Sequence, residues 1–281
     1  MASSEPPRNK PRRRSKSKAR PSKGRGRPAR YAVPGERAVV ELFDAASDRI
    51  ERILVDERRD FEVSQRAAAL GIPVEHVDRD ALQLAAGDAD PRGIVALAAP
   101  PPLLDLADLI ARPSEAPRKV LVALDGVVDP QNLGAILRSC EFFGASGVFW
   151  PRDRAVGLTA TVARASAGAS ERLAMAEVTN LAQALRTCKE AGLWVVGTVV
   201  DASEDLAGLC RADAIPEAVV LVLGSEGRGI RRLTAQSCDF QVTLARHGRL
   251  GSLNVAAAAA ASLVLLMTSF ESAAKNPPGS R

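Results

Sequence analysis

Three polar segments of the sequence hold the side chains that could bind a ligand or act on one. The first contains Asn132 and Arg138, six residues apart. In a helix that starts by Asn132 the two residues lie on neighbouring turns, and the Arg138 guanidinium can offer a two-pronged hydrogen-bond fork to a phosphate. The other interpretation is a plain helix start at Asp129-Pro130, with Arg138 as a solvated surface residue.

The second segment reads Leu-Gly-Ser-Glu-Gly-Arg-Gly over residues 223–229, directly after an apolar run. Its three glycines let backbone N–H groups and a ligand come close. The segment lacks the Lys of a Walker loop, and a dinucleotide fingerprint starting at Gly227 would lack its third glycine. The Glu226 carboxylate would repel a phosphate, which favours a neutral or cationic ligand. A structural tight turn is the alternative.

The third segment, residues 247–255, leads into an alanine-rich stretch and contains Ser252 and Asn254. Either residue could simply cap the following helix, because Ser and Asn favour helix N-termini. All three segments follow apolar runs along the chain. Their combination therefore indicates a ligand site more strongly than any one of them does alone.

Apolar, strand-like runs recur through the C-terminal part of the chain, with helical patterns between them. They lie at residues 120–124, 147–150, 173–178, 194–199, 219–223 and 240–244. This alternation predicts an α/β domain over residues 119–272 with a mostly parallel sheet that is covered on both faces. Ligands of such sheets bind beyond the carboxyl ends of the strands, where the polar segments lie. Residues 273–281 are predicted as a disordered C-terminus.

The N-terminal part of the chain divides by composition. Residues 31–99 alternate helical and strand-like patterns, which predicts a second, small α/β domain. Residues 100–118 are rich in proline and predict a linker. Residues 1–30 hold 12 Lys and Arg with a single acid, and the rest of the chain carries a net charge of −6. We predict a disordered basic tail that binds nucleic acid, with a solubilising tail as the alternative.

The remaining composition excludes several classes of protein. The four cysteines are far apart, and only two histidines accompany them, so neither a zinc site nor a disulfide framework is predicted. The longest apolar stretch, residues 255–267, is shorter than the roughly 20 residues of a membrane helix. The basic start is not followed by the apolar segment of a secretory signal. We expect a cytoplasmic protein with no metal and no membrane partner.

Taken in order, the three polar segments resemble the three motifs of the SpoU (TrmH) ribose methyltransferases. The resemblance covers residues 119–270 closely, and residues 166–169 also match a family stretch. Residues 34–98 look like the L30e-like substrate-binding domain of the bacterial large-subunit rRNA guanosine 2′-O-methyltransferases in this family. The resemblance implies a SPOUT-type fold with a C-terminal trefoil knot, a homodimer, and methylation of a ribose 2′-hydroxyl in RNA with S-adenosylmethionine as cofactor.

The family's functional residues transfer onto matching positions of this sequence. The resemblance places S-adenosylmethionine against Thr198, Gly224, Leu244 and Leu253. It makes Arg138 the principal catalytic residue, and the transfer site is lined by the remaining motif residues, Asn132, Glu226, Ser252 and Asn254. Since a guanidinium with a pKa above about 12 is a poor base, we favour a role for Arg138 in binding an RNA phosphate and stabilising charge, with its use as the base left open.

A guanosine of 23S rRNA is the favoured substrate because of the separate N-terminal domain. The alternatives are a tRNA ribose 2′-O-methyltransferase, a catalytically silent RNA-binding relative, and a nucleotide-binding enzyme of different chemistry. Two departures from the family pattern stand out. Residues 244–246 read Leu-Ala-Arg where relatives have Ile-Pro-Met, and residues 90–93 read Asp-Pro-Arg-Gly where relatives often have His-Gln-Gly.

Overall fold

The computed structural model describes residues 31–275 except Pro117, Arg154 and Arg246, and describes side chains as far as residue 268. The predicted basic tail, residues 1–30, lies outside the described residues, as do residues 276–281. The last helix continues to Lys275. Residues 273–275, which the sequence assigned to a disordered C-terminus, are therefore helical.

Two sheets with their helices make up the described chain. The elements, in chain order, are β1 (Tyr31–Pro34), α1 (Glu36–Ala46), β2 (Ile50–Asp56), α2 (Glu62–Ala69), β3 (Val74–Val77), α3 (Arg79–Ala86), β4 (Ile94–Ala98), α4 (Leu106–Ala111), β5 (Lys119–Asp125), α5 (Pro130–Phe142), β6 (Gly147–Pro151), α6 (Ala160–Ala165), β7 (Met175–Val178), α7 (Leu181–Glu190), β8 (Trp194–Thr198), β9 (Glu204–Asp205), α8 (Leu206–Arg211), β10 (Ala218–Gly224), α9 (Arg232–Ala235), β11 (Phe240–Thr243) and α10 (Val255–Lys275). Two short 3-10 helices, Ser47–Arg49 and Ala169–Glu171, precede β2 and β7.

The N-terminal sheet has four strands in the order β1-β4-β2-β3. Strand β4 pairs antiparallel with both β1 and β2, and β3 runs parallel to β2. Helix α1 is amphipathic and buries Val39, Leu42 and Phe43 against this sheet. Full burial of such a side chain contributes about 1.5–3 kcal/mol, so this face is enough to hold α1 on the sheet.

The larger sheet has seven strands in the order β7-β6-β5-β10-β8-β11-β9, and all of its strand pairs are parallel. Its central strands are covered on both faces. In β5, Val122 and Leu124 pack on the side of α5 and α10, whereas Leu121 and Ala123 pack on the side of α4 and α7. The prediction of a mostly parallel α/β sheet is confirmed.

The proline-rich segment between the two sheets packs on the larger one. The backbone N–H of Leu104 donates to the carbonyl of Met175 at 2.8 Å, and Leu109 of α4 is fully buried beside Gly147. The side chain of Arg118 is buried too and donates to the carbonyls of Ile215 and Leu266. Residues 100–118, predicted to be a linker from their proline content, thus contact the larger domain through Leu104, Leu109 and Arg118.

Candidate functional site

A cleft of about 1040 Å³ lies at the carboxyl ends of β8, β10 and β11, as expected for a parallel sheet. Its lining comes from the ends of these strands and from residues 247–255. Seven residues predicted for the site lie in this lining: Thr198, Gly224, Glu226, Leu244, Ser252, Leu253 and Asn254.

The loop after β10 turns back on itself at the base of the cleft. The backbones of Ser225 and Gly229 exchange two hydrogen bonds, at 2.9 and 3.2 Å. A Cβ on Gly224 would lie 2.1 Å from the carbonyl carbon of Gly229, so only glycine fits at position 224, where the loop returns against its own start. Gly227, at φ +81°, makes the turn, which leaves Glu226 at its tip.

Glu226 meets two asparagines from the other polar segments. The side-chain amide of Asn132 donates to its Oε1 at 3.2 Å, and the amide of Asn254 donates to the same oxygen. Asn254 also donates to Oδ1 of Asn132 at 3.0 Å. The three residues thus form a closed hydrogen-bonded ring, here called the amide–carboxylate ring. It joins the three polar segments at the rim of the cleft.

Both asparagines stand at helix starts. Asp129 caps the start of α5, because its carboxylate accepts from the N–H of Gln131 at 3.1 Å, and Pro130 is the first residue of the helix. Helix α10 begins after Asn254, whose Oδ1 accepts from the N–H of Ala256 at 2.9 Å. The two interpretations that the sequence left open for Asn254, a helix cap and a site residue, are therefore both supported by its contacts.

A buried carboxylate at the end of β5 holds the loop that follows β10. Asp125, at the end of β5, is 1% exposed and accepts from the backbone N–H of Arg231 at 2.8 Å, while the Arg231 guanidinium also contacts it. The Asp125–Arg231 pair fixes the end of the loop at residues 224–229, here called the glycine loop. The Asp125–Arg231 pair was not predicted, although an Asp directly after the apolar run 120–124 is a visible signal in the sequence.

Arg138 is not brought to the cleft of its own chain. It lies six residues beyond Asn132 on α5, which is about 9 Å along the axis and about 240° around it. Its side chain is exposed and makes no hydrogen bond or ion pair with the residues that the structure describes. On the same helix face, Phe142 is 80% exposed four residues later.

The cleft is chemically mixed. Leu244 and Leu253 give it an apolar wall, Glu226 gives it one negative charge, and Arg228 and Arg249 give it positive charge toward the solvent. Thr198 is tied to the sheet, because its hydroxyl donates to the carbonyl of Val222 at 3.1 Å. Within the described residues no cluster of His, Cys, Asp and Glu has the arrangement of a metal site. The described helices also include none long and apolar enough to cross a membrane.

Comparison with known proteins yields two family matches. Residues 119–264 match the SpoU rRNA Methylase family, and residues 32–104 match a family described as RNA 2′-O ribose methyltransferase substrate binding. Together the two matches include both sheets.

Individual relatives agree with these matches. The 23S rRNA (guanosine-2′-O-)-methyltransferase RlmB of Coxiella burnetii is 38% identical over 233 residues, covering 81% of this chain and 91% of the relative. A Synechocystis protein named as an uncharacterized tRNA/rRNA methyltransferase is 38% identical over 235 residues, covering 82% of this chain. The chain spans only 60% of the length of that Synechocystis protein.

The fold also has solved counterparts. The SpoU methyltransferase AviRb from Streptomyces viridochromogenes, crystallised with AdoMet, superposes with a TM-score of 0.69 at 23% identity. The superposition covers 86% of this chain and 91% of AviRb. At 23% identity the superposition shows that the two proteins share a fold, and it includes both sheets.

Proposed function

Because the chain belongs to the SpoU rRNA Methylase family, we propose that it methylates a ribose 2′-hydroxyl of RNA with S-adenosylmethionine as the methyl donor. The substrate is a guanosine of 23S rRNA, the one named for the Coxiella relative, 91% of which is covered by the match. The amide–carboxylate ring supports this function most directly, because it joins all three motif segments at one cleft.

The cleft fits S-adenosylmethionine in size and in chemistry. At about 1040 Å³ it is large enough for a drug-sized ligand. We assign cofactor binding to Thr198, Gly224, Leu244 and Leu253, which offer bare backbone and apolar walls, while the Glu226 carboxylate suits a cationic sulfur. When bound, S-adenosylmethionine supplies a methyl group already activated by its positive sulfur.

The chain's own task is to orient the 2′-oxygen and to ease the loss of its proton. In the proposed mechanism Arg138 binds an RNA phosphate with its guanidinium fork and stabilises the negative charge that develops on the 2′-oxygen. The hydroxyl proton passes to that phosphate. Asn132, Glu226, Ser252 and Asn254 form the polar side of the transfer site.

The position of Arg138 favours a homodimer. Its exposed side chain lies on one face of α5 with the exposed Phe142, outside the cleft of its own chain. A second copy packed on the face that carries Arg138 and Phe142 would bring another cleft toward Arg138. The proposal also retains the trefoil knot and the L30e-like character of the N-terminal domain. It retains an N-terminal domain at residues 31–99, a catalytic domain that starts at residue 119, and a cytoplasmic location.

The experiment is transfer of a labelled methyl group from S-adenosylmethionine to 23S rRNA, with total tRNA offered separately. Mapping of 2′-O-methylated nucleotides identifies the acceptor. We expect one guanosine of 23S rRNA to be labelled. Labelling of tRNA alone would support the tRNA alternative, and RNA binding without transfer to either RNA would indicate a catalytically silent relative.

A further inference from the structure

The N-terminal domain and the larger domain meet through a buried polar cluster. Glu171 lies at its centre: the hydroxyl of Tyr31 donates to its Oε1 at 3.0 Å, and that of Ser170 donates to the same oxygen at 2.9 Å. A guanidinium nitrogen of Arg49 lies 3.0 Å from its other oxygen. Tyr31 and Arg49 belong to the N-terminal domain. These four residues are here called the interdomain joint.

The interdomain joint is shielded from water. The Glu171 side chain has an exposed fraction of 0% and that of Arg49 has 13%. Burial raises the pKa of Tyr31, and the neighbouring Glu171 raises it further, so the phenol stays protonated and remains a donor. Because a buried charge is costly unless it is paired, this arrangement favours one relative position of the two domains.

Arg49 also holds the start of the connecting segment. Its Nε and a second guanidinium nitrogen donate to the carbonyl of Ala99 at 3.1 and 2.8 Å. The backbone N–H of Ala99 in turn donates to the carbonyl of Arg49 at 2.9 Å. One side chain thus binds both the opposite domain and the residue at which the chain leaves the N-terminal domain.

Further contacts surround the interdomain joint. Ala163 of α6 is buried in the core of the N-terminal domain. Arg172 forms an ion pair with Glu41 at 2.7 Å, and Arg164 forms one with Asp90 at 3.3 Å. Asp90 belongs to the segment that departs from the family pattern. The contact between the domains is therefore extended and side-chain specific.

The same stretch of chain also packs on α5, the helix that carries Arg138. A Cβ on Gly134 of α5 would lie 2.4 Å from the Cβ of Ala165, so α5 and α6 touch closely there. Arg138 lies one helical turn beyond Gly134 on the same face of α5. The α6 segment thus contacts the N-terminal domain on one side and the Arg138 helix on the other.

We propose that the interdomain joint fixes the N-terminal domain in one orientation relative to α5, the helix that carries Arg138, with Glu171 as a positioning residue for the RNA. A bound RNA is then delivered to the transfer site at a set distance instead of on a free tether. This inference rests on the proposed function, because it assigns the RNA-binding domain its position relative to the methyl-transfer site.

The first test compares Glu171→Gln with the wild-type protein. This change keeps the side-chain volume but leaves Arg49 without its buried ion pair. We expect solution X-ray scattering to show a larger radius of gyration and single-turnover methyl transfer to 23S rRNA to slow by about 10- to 100-fold. RNA affinity and S-adenosylmethionine affinity should stay within about twofold of wild type. The matched control, Glu177→Gln, removes a partner of Arg152 within the larger domain and should change none of these quantities.

A second pair of variants tests the same contact between the domains without changing the buried Glu171, in case Glu171→Gln does not fold. Glu41→Arg and Arg172→Glu each remove the ion pair at the edge of the contact, whose side chains are 30% and 42% exposed. Each single change should slow transfer, and the double change should restore the transfer rate. The inference would be overturned if Glu171→Gln kept the wild-type radius of gyration and transfer rate. It would also be overturned if the double change failed to restore the transfer rate. A wild-type protein that methylates no RNA would contradict the proposed function, whereas scattering would still test the domain orientation.

Discussion

Asn254 is bound at both ends of its side-chain amide. Its nitrogen donates to the Glu226 carboxylate, and its oxygen accepts from the backbone N–H of Ala256 at the start of α10. The stability of the helix start and the geometry of the ring therefore depend on the same residue. Substitutions of Asn254 can separate the two roles, because the ring uses the side-chain nitrogen and the helix cap uses the side-chain oxygen.

Asn254→Ser should keep the helix cap but lose the ring, because the shorter hydroxyl reaches the first turn and not Glu226. We expect near wild-type thermal stability and at least about tenfold slower methyl transfer, the order expected when a substrate-orienting contact is lost. Asn254→Ala should lose both, with stability lower by about 1 kcal/mol. Thermal melting and single-turnover transfer measure the two effects.

The matched control is Asn180→Ala, since Asn180 caps α7 through the N–H of Gln183 at 3.1 Å, away from the cleft. It should lower stability by about the same amount and leave transfer unchanged. Equal activity of wild type and Asn254→Ser would remove the ring from the mechanism.

Gly224→Ala should prevent the glycine loop from closing, because the new Cβ would lie 2.1 Å from the backbone of Gly229. Overpacking of this kind costs about 1–3 kcal/mol, so we expect S-adenosylmethionine to bind at least about tenfold more weakly in calorimetry. Gly157→Ala is the control, since nothing lies within 4 Å of its added Cβ. Unchanged affinity in Gly224→Ala would place the cofactor elsewhere.

Arg138→Ala should abolish methyl transfer and leave S-adenosylmethionine affinity nearly unchanged, because Arg138 lies outside the cleft. Arg138→Lys keeps the charge but not the fork, and we expect it to restore only a small part of the rate. Arg211→Ala, at the exposed end of α8, serves as control. Single-turnover transfer paired with cofactor titration separates the two quantities, and full activity of Arg138→Ala would exclude this residue from catalysis.

Deletion of residues 1–30 should weaken RNA binding without changing the methylated nucleotide. The remaining chain carries a net charge of −6, so the 12 Lys and Arg of the deleted segment are its main general attraction for RNA. If roughly five phosphate contacts are lost, the slope of log affinity against log salt should flatten by about 3 to 4 units. An unchanged slope would favour the solubilising tail, and a shifted methylation site would mean that the segment reads sequence or shape.

The sequence was most informative where one physical signal dominated. Apolar runs between helical patterns identified the parallel sheet, because a strand buried on both faces must be apolar throughout, as residues 219–223 are. The strand predicted at 173–178 begins only at Met175, because the 3-10 helix Ala169–Glu171 precedes it. Strand β1 was not singled out, since four residues give too short a pattern.

Pairings between distant residues could not be read from the sequence. The order of the segments predicted that Asn132, Glu226 and Asn254 lie near the carboxyl ends of the strands. No spacing rule predicts their hydrogen bonds, because Asn132 is 94 residues from Glu226 and 122 residues from Asn254. The interdomain joint is similar, because Tyr31 and Glu171 are 140 residues apart. Composition predicted a linker at residues 100–118 and gave no sign that Leu109 within it would be fully buried.

The central strands of the large sheet have a consequence for how the chain is made. Strands β5 and β10 pair along their whole length, from Lys119 with Ala218 to Asp125 with Gly224. At a synthesis rate of about 5–20 residues per second, β5 leaves the ribosome roughly 5 to 20 s before its partner exists. The nascent chain can form β5, β6 and β7 first, with one apolar edge still open. A translational pause or a premature stop before Ala218 would prolong the exposure of that open edge.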